Sequence, residues 1–390
     1  MQWGMMKAGA AVAISIISFN MSGCGQLSDT FSTGQTAKQK PIALTSIIAT
    51  THPKLLWKQQ LASDKKIKND KVQLLILENI LYGAGGSKIS ALDKKTGALL
   101  WQEEVGERIT GGIKGNQNTV FIGTAEGSVI AFNAKTGQTQ WIALLNSPVL
   151  SISNSKDNKI AFRTLNGKIH LLSANNGSVI WQRSHKTPTL SLQGASSPIL
   201  TGPLLISGAD DGSITAYETK TANKIWSIAA SNTNQVAKLT DLDAEMKIIG
   251  TTLFTAGYHG RVSGIDMRSG KTGWSLPLSS HSGIDANKEA LYVSDETGTI
   301  RKLGLLTGNI KWENKSLLGR QPTAPSIIDR SLIVVGDSQG YLHWIDTTSG
   351  KITGRIQTNK RRILLPVTVD GKNNTLYTIN TNGLISAYSY

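Results

Sequence analysis

The chain has 390 residues, with 41 basic and 26 acidic side chains, 39 glycines, nine tryptophans and one cysteine. At 17% charged and 39% hydrophobic it is not a disordered chain, and a lone cysteine excludes an internal disulfide or a multi-cysteine metal site. The length suggests two domains by default, and the formal charge of +15 points to an anionic neighbour: a membrane surface, nucleic acid or an acidic protein patch.

The chain opens with a short positive stretch through Lys7, followed by an apolar run from Ala8 to Phe19 and then Met21-Ser22-Gly23-Cys24. The run is about half of the ~20 residues needed to span a bilayer. It reads as a signal peptide over residues 1–23. The cysteine after small residues resembles a bacterial lipoprotein signal, in which the thiol is diacylglycerylated, the chain is cut before it and the new amine is acylated. Several acyl chains give stable anchoring where one is marginal. Gly25, where an aspartate would favour retention at the inner membrane, implies export to the outer membrane. Residues 24–52 are rich in Ser, Thr, Gln, Ala and Lys. They read as a lipidated cysteine and a flexible tether of roughly 30 Å root-mean-square length.

From there the chain repeats itself. In the stretch from Val120 to Trp141, a β-rich run leads to a turn at Gly127. A second run leads to a Thr136-Gly137 turn, and a third run ends in Trp141. The first turn glycine lies 14 residues before the tryptophan, and Gly167–Trp181, Gly212–Trp226, Gly260–Trp274 and Gly298–Trp312 keep that spacing. The second turn keeps its glycine at Gly97, Gly137, Gly177, Gly270, Gly308 and Gly350, with Ala222 the exception. Glycine there supplies positive φ, and Ala222 would cost about 1 kcal/mol in that conformation. A seventh unit has Gly354 where tryptophan is expected.

Small sheets of this kind cannot bury both faces alone and must stack, and a ring hides the end faces. The C-terminal unit, Leu376 to Tyr388, lacks its last strand and tryptophan, and Pro53-Lys54-Leu55-Leu56-Trp57 has that missing piece. The expectation is an all-β protein: an eight-bladed β-propeller with four-stranded antiparallel blades over residues 53–390. Each blade takes about 42 residues, and the N-terminal strand completes the last one. A single ring removes the need for a second domain.

Reactive chemistry is not legible. The six histidines, His52, His170, His185, His259, His281 and His343, have no metal-ligand spacing, and there is neither His-Glu-x-x-His nor Gly-x-Ser-x-Gly. Gly264 to Thr272 has the wrong glycine spacing for a phosphate loop and lies across a repeat turn. Lys65-Lys66-Ile67-Lys68 and Lys360-Arg361-Arg362 are basic clusters, read as solvated loops or, alternatively, as attraction to anionic lipid headgroups. No basic–aromatic interleaving suggests a nucleic-acid groove.

The Thr-Gly turn with its closing tryptophan resembles the pyrroloquinoline-quinone-type propeller repeat. Quinone-dependent dehydrogenases share the blade motif, but they bind calcium and often carry a cysteine pair, which is missing here. The whole chain is more similar to the BamB family, lipoproteins of the outer-membrane β-barrel assembly (BAM) machinery. The residues that carry this are Leu190-Ser191-Leu192-Gln193-Gly194-Ala195-Ser196-Ser197-Pro198, Leu239-Thr240-Asp241-Leu242-Asp243 and, most specifically, the run from Val334 to Ile345.

The resemblance implies a non-enzymatic scaffold on the periplasmic face of the outer membrane, with no cofactor. It would bind the POTRA domains of the central barrel subunit, BamA, and contact other BAM lipoproteins indirectly. It would also assist unfolded outer-membrane proteins. The family's partner-binding positions fall on Leu190, Leu192, Gln193, Asp241 and Asp243. Gln193 stands where the family usually has arginine, which turns a charge-assisted contact worth about 1.5–3 kcal/mol into a neutral one. Independently, the tryptophan spacings of 40, 40, 45, 48 and 38 from Trp101 onward place the two longest intervals side by side. These contain both stretches, which read either as a projecting patch on adjacent blades or as strand-core leucines and turn aspartates. The alternative functions are a periplasmic quinone-dependent dehydrogenase and a general adhesion or cell-wall scaffold.

Overall fold

A computed structural model describes residues 40–61, 72–185, 196–229, 244–257, 260–280, 282–363 and 365–390. Among them every regular element is a strand, and the strands form eight four-stranded antiparallel sheets. Blade 2 is typical, with strands Ile109–Gly115, Thr119–Thr124, Ser128–Asn133 and Thr139–Leu144 running from the centre outwards. Its two middle strands are buried on both faces because each blade is sandwiched between two others, so TVFIGT and SVIAFN read as nearly continuous apolar runs. The outermost strand alternates between half-buried and exposed because only one of its faces meets a neighbour. The first strands of successive blades line the centre.

One contact joins blade to blade. Asn133 closes the turn between the third and fourth strands by accepting the amides of Lys135 and Thr136, both at 3.0 Å, and Gly137 follows at φ +77°. The indole of Trp101, on the outermost strand of blade 1, lies on that glycine, and a Cβ there would sit 2.8 Å from the ring. The indole N–H donates to Ala134 O at 3.0 Å. Glycine is therefore required twice, for its positive φ and for the space the indole occupies.

The same bond recurs from Trp57 to Lys94 O, Trp141 to Ala174 O, Trp181 to Thr219 O, Trp226 to Met267 O, Trp274 to Leu305 O and Trp312 to Thr347 O. Ala222 does hold φ +60°, as its place in the repeat requires.

The ring closes as the sequence predicts. Lys54–Gln60 pairs antiparallel with Leu384–Ser389, from Lys54↔Ser389 to Gln60↔Leu384. Lys94 reinforces the closure. Its carbonyl accepts both Trp57 Nε1 and Tyr377 OH, and its ammonium makes a buried 2.8 Å ion pair with Asp370.

The junction of blades 7 and 8 differs. Blade 8 has no turn joining its third strand to its fourth, since these are Leu384–Ser389 and Lys54–Gln60. A tryptophan at position 354 would have no glycine to rest on. Instead the large residue has crossed the ladder. In most other blades a small residue faces the tryptophan (Ala91↔Trp101, Ala131↔Trp141, Gly264↔Trp274), with Leu171↔Trp181 and Lys302↔Trp312 the exceptions, whereas here Trp344 on the third strand faces Gly354. Trp344 is fully buried among Ile363, Val367, Leu376 and Tyr388. The pairing of large with small keeps the layer filled.

The space beside Gly354 is taken by the N-terminal segment, where the tether expectation fails in part. Residues 40–52 lie along the rim of blades 6 and 7. Ile42 N donates to Leu318 O at 3.1 Å, and the amides of Thr50 and Thr51 donate to Thr353 O at 2.9 and 3.0 Å. Leu44 packs against the core between those blades. A Cβ on Gly354 would stand 2.8 Å from Thr51 O. The low-complexity composition hid this strap because its partners are backbone groups and the long side chains of other blades.

Trp57→Ala should lower stability by about 3 kcal/mol, read as a fall in the urea midpoint with unchanged slope. An unchanged midpoint would show that the ring does not depend on this closure.

Candidate partner-binding face

Antiparallel order fixes which loops share a face. The hairpins between second and third strands, and the connections from each fourth strand to the next blade, emerge together on what we term the hairpin face. The Thr-Gly turns emerge on the other. Both candidate stretches belong to fourth-to-first connections, one between Val179–Ser184 and Ile199–Thr201 and the other between Lys224–Ala229 and Lys247–Ile249. Leu190, Leu192, Gln193, Asp241 and Asp243 themselves lie outside the described residues, as does Cys24.

The roots of the two connections are described, and they touch. Ser197 Oγ donates to Glu245 Oε1 at 2.7 Å. Ser196 is fully buried, and its carbonyl accepts from Ser151 Oγ at 3.2 Å. Asn154 clamps the next strand by a reciprocal pair to Leu200, both bonds at 3.1 Å. On the second root, Ala244 and Met246 are buried in different inter-blade cores. Both connections therefore spring from rigid, mutually bonded bases on adjacent blades. Sequence reasoning missed this link; a Ser and a Glu 48 positions apart carry no local signal.

A buried ion pair joins two blades at this face. Arg163 bonds Asp210 across blades 3 and 4. Next to the first connection, His185 Nε2 lies 3.2 Å from Tyr217 OH; burial and then the nearby Arg163 hold this imidazole below its ordinary pKa. Burial, with Lys168 adding to it, pushes His170 down to about 4.

A second cluster lies in blade 7, inside the Val334–Ile345 run that resembles the family most specifically. Asp337 accepts from Arg320 Nε at 2.7 Å and from His343 Nε2 at 3.0 Å, while Arg355 Nε donates to His343 Nδ1 at 3.2 Å. A guanidinium can only donate, so Nδ1 is an acceptor and His343 is the neutral Nε2–H tautomer. Burial lowers the pKa of His343. Burial alone would raise Asp337, but the bonds and charge from His343, with Tyr341 N and Arg320, hold it below the usual carboxylate range. The two arginines also reach the strap, Arg320 Nη1 to Ile42 O at 3.2 Å and Arg355 Nη1 to Thr45 O at 2.9 Å. Among the described residues no three His, Cys, Asp or Glu side chains are grouped to hold a metal ion.

These buried groups set a pH dependence. The ring keeps His170, His185 and His343 neutral, whereas the unfolded chain protonates them below about 6.5. Stability should be full above pH 7 and decline as pH falls from about 6.5 towards 4, by roughly 1.4 kcal/mol per pH unit for each histidine still neutral in the fold. Asp337, with its lowered pKa, is stabilising above about 3.9 and adds its loss only below that. Urea midpoints between pH 7.5 and 4.5 test this, with His170→Gln expected to flatten the slope; a midpoint independent of pH would contradict it.

A family model described as "Outer membrane protein assembly factor BamB" matches residues 85–314. The protein of that name from Kangiella koreensis is 39% identical over 275 residues, 70% of this chain and 71% of the relative. The one from Legionella pneumophila is 32% identical over 201 residues, 51% of each. The chain thus spans about half the length of several curated relatives it matches. The solved BamB of Moraxella catarrhalis superposes with a TM-score of 0.78 at 26% identity, covering 87% of this chain and 100% of that one. A quinohemoprotein alcohol dehydrogenase from Comamonas testosteroni shares the fold alone, with a TM-score of 0.67 at 12% identity, covering 86% of this chain and 76% of that one. A repeat, a ring and a family model that all coincide lead to one assignment: the chain belongs to the BamB family of outer membrane protein assembly factors.

Proposed function

We propose that this protein is a non-enzymatic scaffold of outer-membrane β-barrel assembly, tethered at the periplasmic face of the outer membrane through acylated Cys24. It holds the POTRA domains of a BamA-like subunit through the two connections on the hairpin face, with Leu190 and Leu192 as apolar anchors and Gln193, Asp241 and Asp243 as polar contacts. Through that subunit it meets the other lipoproteins of the machinery and assists barrel proteins as they fold and insert. The observation that carries the reading is the Ser197–Glu245 bond, which ties the roots of both connections into one base. Paired loops on a rigid base suit recognition of a folded partner, with a few apolar anchors supplying most of the affinity. The dehydrogenase alternative has no observation in its favour, since the quinohemoprotein likeness is one of fold.

Affinity purification from envelopes should recover a BamA-like partner, and Leu192→Asp should reduce that recovery more than tenfold, equivalent to about 1.4 kcal/mol or more, while leaving the urea midpoint unchanged. Equal recovery from both proteins would remove Leu192 from the interface. Cys24→Ala should release the protein from washed membranes; continued retention would refute the anchor.

A further inference from the structure

The strap decides where the chain preceding Lys40 leaves the ring. It begins beside Leu318 and Arg320, in the connection between blades 6 and 7, which lies on the hairpin face. It then crosses the rim past Arg355 to Thr353, at the opposite end of the outermost strand Ile352–Gln357. The crossing spans a full strand, about 20 Å for six residues. Without the strap the chain would leave from Pro53, on the Thr-Gly face.

A second observation falls on the same face. The connection from blade 7 to blade 8 carries Lys360, Arg361 and Arg362. Lys360 and Arg361 are exposed, and no acidic side chain pairs with either among the described residues. The backbone of this connection is packed on the blade 7 hairpin, where a Cβ on Gly340 would stand 2.6 Å from Arg361 O, so the backbone that carries the cations is held on the blade whose rim the strap crosses. Arg362 Nε is buried without a hydrogen-bond partner among the described residues.

We propose that the hairpin face at blades 6–8 is the membrane-facing side of the ring, where Lys360 and Arg361 meet anionic lipid headgroups on the same face from which the strap releases the chain towards its anchor. The proposal rests on the acylation of Cys24. The sixteen residues from Cys24 to Lys40 reach at most about 55 Å when fully extended, and the strap starts that reach from the hairpin face, about 20 Å of rim away from the Thr-Gly face. Each basic side chain near an anionic surface adds roughly fivefold to binding. The same face carries the roots of the partner-binding connections, so a partner held there would lie alongside the membrane.

The test uses the acylated full chain in phosphatidylcholine vesicles with or without phosphatidylglycerol. A fluorophore is placed at Gln339→Cys, on the blade 7 hairpin, or at Lys372→Cys, on the opposite face, and is quenched by headgroup nitroxide lipid. Quenching at 339 should exceed that at 372 several-fold in the anionic vesicles. Lys360→Glu with Arg361→Glu should bring the two close to equal, as should lifting the strap with Ile42→Pro or Gly354→Ala. Loss of amide protection at Ile42, Thr50 and Thr51 in these last two variants confirms that the strap has lifted.

Equal quenching at both sites in the unaltered, sedimenting protein would overturn the proposal, as would a ratio untouched by the charge reversals. Failure to sediment with any vesicle would instead count against the Cys24 anchor. The unacylated Cys24→Ala protein separates the two, because its salt-sensitive binding to phosphatidylglycerol vesicles should fall more than tenfold with Lys360→Glu and Arg361→Glu, and an unchanged affinity would refute the cationic face on its own.

Discussion

An indole resting on the glycine turn of the next blade, with its N–H bonded to a carbonyl of that turn, is the contact from which the ring is built. It joins a large apolar surface to a satisfied polar group, so the tryptophan can be half-buried at a seam without leaving an unpaired donor. It is also directional, since each blade offers a ring to one neighbour and a seat to the other. Repeated around a circle, that polarity leaves no free end provided the last ring finds the first seat, and Trp57 on Gly97 is where it does.

The exception at blades 7 and 8 follows from the same contact. Removing the turn removes both seat and acceptor, and the aromatic volume moves to Trp344 on the neighbouring strand, leaving Gly354 open to the strap. Trp344 Nε1 is buried with no hydrogen-bond partner among the described residues. The junction thus gives up a hydrogen bond and gains complete burial of the ring. One deviation in the repeat marks both the closure of the propeller and the place where the N-terminal segment docks.

Much of this was legible in the sequence because it is local and repeated. The Gly-to-Trp spacing, the Thr-Gly turns and the orphan strand at Trp57 specify blade number and closure without reference to distant contacts. The rest depends on pairs far apart in the chain. Gly354 looked like a lost tryptophan because the repeat register compares equivalent strands and does not look across a ladder to Trp344. Residues 40–52 looked like tether because amide and carbonyl groups, invisible to composition, hold them. Ser197 and Glu245 have no meaning until blades 4 and 5 are adjacent. The specific partner residues, Leu190, Leu192, Gln193, Asp241 and Asp243, came from family resemblance and not from any pattern in the chain.

The strap has a mechanical consequence. It runs antiparallel to the outermost strand of blade 7, and its upper end is gripped by two arginines rooted in a buried carboxylate and imidazole. Tension arriving through the preceding chain would first load Ile42 and Thr45, then Thr50 and Thr51, before reaching the strand that shuts the circle. The segment would act as a strain relief, letting a tugged molecule peel thirteen residues from its rim while the propeller stays shut.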